Sequence, residues 1–174
     1  IRIPEWTQGK PLPSDLYSYL NPESDRITLY VNGFLTPLDP DRGYARVRRV
    51  WSKGDRISMK FPMPIRRVLC NEKVKENIGK VAIERGPIVY CAEWLDNGEK
   101  VFQLVLPDNC ELRTRECPYK LGGITSIRGN AKAVSKNKEG KIQTQDTPIE
   151  LIPYYSWAHR GKGEMRVWFP RNAE

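Results

Sequence analysis

The chain has a single histidine, His159, and none of its four cysteines (Cys70, Cys91, Cys110 and Cys117) forms a C-x-x-C pair. Zinc sites of the usual spacing draw on clustered cysteine and histidine ligands, so none is expected here. No apolar run approaches the roughly 20 residues of a membrane span, and no membrane partner is expected. There is no fixed-period repeat and no amphipathic helical pattern longer than about two turns. A charged-then-apolar leader is also missing. The chain opens at Ile1, inside a strand-like run and without an initiator methionine, as a fragment of a longer protein would.

What is present is strand and turn chemistry. The 174 residues suit one domain or two small ones, and 39% hydrophobic content is enough for a core. The organising stretch is Lys80–Glu93, KVAIERGPIVYCAE. Two short apolar runs, Val81–Ile83 and Ile88–Cys91, flank Glu84-Arg85-Gly86-Pro87. Glycine tolerates positive φ and proline cannot extend a central strand, so this predicts two paired strands. Upstream, Ile1–Trp6 alternates and then stops at Pro4, and residues 7–25 read as an irregular loop. Ile27, Leu29 and Val31 share one face ahead of Asn32-Gly33, the strongest short hairpin signal. Residues 36–43 read as a turn, Tyr44–Trp51 as a strand bulged near Arg48-Arg49, and Ile57–Phe61 and Ile65–Leu69 as strands. Residues 71–79 have room for one helical turn. Seven or eight strands in 93 residues suggest a sandwich.

The second part begins just before the turn Asp96-Asn97-Gly98. Val101–Leu106 and Cys110–Glu116 read as strands, and Ile124–Ile127 with Ala131–Val134 as a short hairpin about Gly129-Asn130. The polar residues 135–148 read as a mobile loop. Ile149–Ile152 and Met165–Phe169 are strands, with Met165, Val167 and Phe169 on one face. The predicted fold is therefore all-β: two antiparallel, jelly-roll-like β-sandwich domains in tandem, 1–93 and 94–174.

Candidate chemistry is sparse. Net charge is +8, spread as +5 over 1–93 and +3 over 94–174. Arg46, Arg48 and Arg49 form the densest basic group, on a predicted strand whose alternate residues face solvent, so a solvated face is preferred to a nucleic-acid surface. Asp39 and Asp41 in D-P-D-R-G lack the further ligands of a calcium loop, and turn chemistry explains them. Glycosidase chemistry needs two carboxyl groups about 5 to 10 Å apart. Glu84, Glu93, Glu150 and Glu164 lie on or beside strands, and nothing pairs any two of them. His159 has no nucleophile elbow beside it and sits at a predicted loop tip. Cys110 and Cys117 are close enough in sequence to bridge across a hairpin, but geometry decides that. Cys91 reads as a small buried hydrophobe. Tyr154, Tyr155, Trp157 and Trp168 form a dense aromatic patch. Such rings either stack on sugars or fill a core or interdomain contact, and the second reading is preferred.

The segments IRIPEW (Ile1–Trp6), YVNG (Tyr30–Gly33), GYARVRRVWSKGD (Gly43–Asp55), FPMPIRR (Phe61–Arg67), GKVAIERGPIVYCAE (Gly79–Glu93) and IPYYSWAHRGKGEMRVWFP (Ile152–Pro170) run in order along the chain. Together they resemble the C-terminal, non-catalytic part of glycoside hydrolase family 127, the bacterial β-L-arabinofuranosidase-like enzymes, and its relative family 146. Residues 7–25 and 107–148 match poorly. The resemblance implies an upstream helical-toroid catalytic domain, followed by a middle sandwich (1–93) and a C-terminal sandwich (94–174). It places a zinc-held cysteine nucleophile and its glutamates in that upstream domain, so no catalytic residue and no cofactor is assigned to this chain. The partners it implies are the chain's own catalytic domain, a plant-derived arabinose-containing carbohydrate and a homodimer mate in the parent. Nucleic acid is not among them. The compartment, cytoplasmic or periplasmic, stays undecided. The leading function is an accessory support for the hydrolase. The alternative is a carbohydrate-binding module stacking sugars on Tyr154, Tyr155 and Trp157.

Overall fold

The computed structural model describes residues 1–22 and 26–173. Fifteen strands alternate with single 3-10 turns among them: β1 Tyr17–Tyr19, β2 Thr28–Val31, β3 Phe34–Thr36, β4 Asp39–Asp41, β5 Tyr44–Arg46, β6 Ile57–Lys60, β7 Ile65–Cys70, β8 Lys80–Arg85, β9 Ile88–Glu93, β10 Leu104–Val105, β11 Leu112–Cys117, β12 Ile124–Lys136, β13 Ile142–Pro153, β14 Met165–Arg166 and β15 Phe169–Pro170. The fold is all-β with antiparallel pairing throughout, as the alternation predicts.

Two of the turns form where they were read. Asn32 (φ 52°) and Gly33 (φ 82°) supply the two left-handed residues a type I′ hairpin needs, and join β2 to β3. Gly86 (φ 59°) turns β8 into β9, with Arg85 opposite Ile88. The expected helical turn in 71–79 is Lys75–Asn77.

One sheet runs β1-β7-β8-β9-β13-β12-β10, with β11 added to β12, β14 to β9 and β15 to β8. Thus β9, which ends the first expected domain, pairs with β13 of the second, and the strands on either side of residue 93 share a sheet. The sheet curls on itself: the Leu106 N–H donates to the Pro170 carbonyl at 2.8 Å, which brings β15, paired with β8, to the end of β10. Inside lies the main core, built from Val81, Ile83, Tyr90, Ala92, Leu104, Leu106, Ile127, Ile149, Leu151 and Phe169 among others. Alternate residues on the other face, Cys91 and Ile152, pack with Ile124 under Trp157 and Met165. Burial on both faces is why β9 and the end of β13 read as continuous apolar runs. A separate three-stranded sheet, β3-β2-β6, buries Leu29 and Val31.

Several expectations are corrected. Ile1–Trp6 is no strand; Arg2 makes an isolated bridge to Tyr44 and residues Glu5–Gln8 form a 3-10 turn after Pro4. The loop expected over 7–25 contains β1, whose Tyr-Ser-Tyr alternation is too short to stand out; residues 23–25 lie outside the described residues. The turn over 36–43 contains β4, and Tyr44–Trp51 is strand only as far as Arg46, where its short partner β4 ends. Val101–Leu106 starts as a 3-10 turn (Val101–Gln103). Met165–Phe169 splits in two, β14 on β9 and β15 on β8.

The largest departures are in the second half. Gly129-Asn130 is not a turn but the middle of the 13-residue β12. The glycine serves close approach instead: a Cβ there would meet the Glu111 carbonyl oxygen at 2.5 Å and Leu112 Cδ2 at 2.8 Å. The expected loop over 135–148 shrinks to a turn over 137–141; β12 and β13 form a long ribbon from Ile127–Leu151 to Lys136–Ile142. Backbone ladder bonds do not depend on side-chain polarity, so a polar ribbon can form. The Asn137 side chain closes its tip by accepting the N–H groups of Glu139 and Lys141. Because the obstruction at Gly129 is backbone, Gly129→Ala is expected to destabilise the chain by about 1–3 kcal/mol. A fall in the urea midpoint with unchanged slope would show it.

Candidate functional site

The aromatic segment begins where Pro153 ends β13. Tyr154–Ser156 form one 3-10 turn, and Ala158 (φ 69°) and Gly161 (φ 104°) bend the chain back. Arg160, between them, returns to the end of β9. Its guanidinium donates to Glu93 Oε2, with Nε at 2.9 Å, and to Asp96, with Nη1–Oδ1 at 3.2 Å and Nη2–Oδ2 at 2.5 Å. The Ala158 N–H donates to Glu93 Oε1 at 3.1 Å. Glu93 is 2% exposed. The chain of ions continues: Lys120 Nζ reaches Asp96 at 2.6 Å and Glu150 at 2.9 Å, and Arg128 reaches Glu150 at 2.5 Å. Asn97 ties the two halves together, donating to the carbonyls of Glu93 and Glu150 and accepting the Glu150 N–H.

Three carboxylates therefore face three cations. Burial works to raise the Asp96 carboxyl, but hydrogen bonds from Arg160 and Lys120 outweigh it and hold that group below its ordinary value. The same contacts push the Arg160 guanidinium up. Carboxylates paired to arginine and lysine in this way suit a clamp that holds the loops together. Of the four glutamates singled out in the sequence, Glu93 and Glu150 meet in this one network. Glu164 instead accepts the Phe102 N–H at 3.0 Å. Glu84 lies on the outer face of β8 and accepts the Tyr19 hydroxyl. The clamp's essential partner, Arg160, is 67 residues from Glu93. The one local signal for it is a glutamate closing an otherwise apolar strand.

Tyr154 and Tyr155 are 44% and 65% exposed, whereas Trp157 is half-buried against the outer cluster. The Tyr154 and Trp157 rings lie 6.1 Å apart and tilted by 36°. Trp168 is elsewhere, stacked on Tyr17 at 5.6 Å. His159 is exposed at the loop tip. Asp39 and Asp41 both face Arg46 at 3.3 Å, and Arg49 pairs with Asp55 and lies over Trp51. All four cysteines are free thiols, and burial pushes Cys91 up to about 12. Among the described residues no three His, Cys, Asp or Glu side chains converge as a metal site would require, so the residues present do not fit a zinc centre.

Comparisons with known proteins agree along the whole chain. The model for the glycoside hydrolase family 127 C-terminal domain matches residues 65–170, and that for the beta-L-arabinofuranosidase middle domain of the same family matches 1–63. A non-reducing end beta-L-arabinofuranosidase of Bifidobacterium longum subsp. longum is 31% identical over 182 residues, covering 97% of this chain and 25% of that protein. A solved family 127 beta-arabinofuranosidase matches with TM-score 0.92 at 44% identity, over 98% of this chain and 27% of its own. A family 127 beta-L-arabinofuranosidase from Geobacillus stearothermophilus T6 matches with TM-score 0.77 at 37% identity, over 84% of this chain and 24% of its own. The chain thus spans about a quarter of the length of these relatives.

Proposed function

This chain belongs to glycoside hydrolase family 127, and from that premise we propose that it is the non-catalytic accessory region of a β-L-arabinofuranosidase-like hydrolase, packing against and supporting an upstream helical-toroid catalytic domain. One observation carries the reading: the chain matches the family's middle and C-terminal domains end to end, yet corresponds to only 25% of its curated relative. The interior of the chain supports it. Its clustered carboxylates are locked to arginine and lysine, so the ion network braces loops against the sheet. Zinc, if the parent uses it, belongs with residues outside this chain.

The test is direct. The 174-residue chain by itself is expected to release no arabinose from β-L-arabinofuranosides, with or without added zinc. Turnover above background removes the reading.

A further inference from the structure

One cavity away from the ion network combines shape with chemistry. Strand pairing sets Tyr19, Val68 and Ala82 side by side on the outer face of β1, β7 and β8. The next row on that face is Arg66, Glu84 and Val89. Pro11 and Leu12 on one side, and Val167 and Trp168 on the other, wall in a space of about 190 Å³ above these rows. Trp168 is held in place by its stack on Tyr17, with the rings inclined at 30°.

The walls are apolar but for the Tyr17 hydroxyl, and the one carboxyl group among them is Glu84. Its Oε1 accepts the Tyr19 hydroxyl, while Oε2 takes no hydrogen bond from the described residues. Burial pushes this carboxyl up. An acceptor set in an apolar cavity is costly unless a donor meets it. A cation is not the natural donor, because Arg66 is paired opposite Glu84 on β7 and already favours its charge. A neutral hydroxylated ring is a better match: its C–H faces lie against Leu12, Val89 and the Trp168–Tyr17 pair, and its hydroxyl edge meets the free carboxylate oxygen. The volume equals about six waters at liquid density, which suits one ring and not a chain.

We propose that this cavity is a binding subsite for a single neutral sugar ring, oriented by Glu84 and walled by Trp168. The choice of an aldopentose, L-arabinose, among such rings rests on the functional reading above; the sugar subsite does not. The site is separate from the exposed Tyr154 and Tyr155, neither of which lines the cavity.

Titration of the full chain with L-arabinose, followed by two-dimensional NMR, is expected to give saturable shifts at Tyr17, Glu84, Val89 and Trp168. Tetramethylammonium should give none. Trp168→Ala and Val89→Phe should each weaken binding by about tenfold or more. Val89 is 38% exposed at the rim, so its phenylalanine variant blocks the cavity while leaving the core intact. Shifts confined to Tyr154 and Tyr155, undiminished binding in Val89→Phe, or no response to any neutral sugar would overturn the subsite. Binding of D-glucose in preference to L-arabinose would uphold the subsite and overturn only the pentose assignment.

Discussion

Arg160→Ala is expected to lower the unfolding free energy by about 3–5 kcal/mol, the usual consequence of removing one partner from a buried ion pair. Glu93 is 2% exposed and keeps only the Ala158 N–H once the guanidinium is gone. That N–H sits on the same loop, which Arg160 holds down. Asp96 retains Lys120, so the loss falls mainly on Glu93. Pairing the change with Glu93→Gln should recover a good part of the stability, because no buried charge is then left behind. Urea unfolding followed by circular dichroism separates the variants. Equal stability of the single and double variants would show that Glu93 carries no uncompensated charge.

The same network sets a pH dependence. The Asp96 carboxyl is lowered in the folded chain, so its contribution is present above its unfolded value, about pH 4, and is lost as pH falls through the folded one. Arg160→Ala should therefore flatten the acid limb of the stability curve, since it removes one of the two cations that lower Asp96.

Phe169→Ala is expected to cost about 3–5 kcal/mol, the range for emptying a large buried aromatic site. Phe169 is fully buried in the main core, yet β15 consists of only Phe169 and Pro170. Two residues of ladder cannot hold a strand in place, so the ring anchors it. Phe169 stands opposite Val81, and next to it the Pro170 carbonyl accepts the Leu106 N–H that draws the sheet's ends together. Amide exchange at Leu106 and Arg171 should accelerate in the variant more than exchange within β8 and β9. Uniform acceleration would mean that Phe169 supports the whole core and not this closure. Tyr155→Ala, at an exposed ring on the same sheet's rim, should change stability by no more than about 0.5 kcal/mol.

Particular residues show where the sequence was readable. Asn32-Gly33 and Gly86-Pro87 each encode a turn within four residues, and both hairpins form as read. Gly129-Asn130 carries the same local signature and forms no turn, because its meaning depends on Glu111, which lies across the strand pair. The polar ribbon of β12 and β13 was missed for a related reason. Its order comes from cross-strand hydrogen bonds, which leave no mark on hydrophobic periodicity. Arg160 adjoins His159 at the predicted loop tip, and the sequence pairs Glu150 with nothing; only the fold places them on Asp96 and Lys120.

By itself, then, the amino-acid order determined an all-β chain, its tightest turns, and a set of motifs distinctive enough to identify its family. Those properties depend on neighbours a few positions apart. The tertiary structure alone decided which carboxylates are neutralised, how the sheet's ends meet at Leu106 and Pro170, and which aromatic rings border a cavity with Glu84. Each of these joins residues dozens of positions apart, and their energies depend on burial and distance, which exist only once the chain has folded.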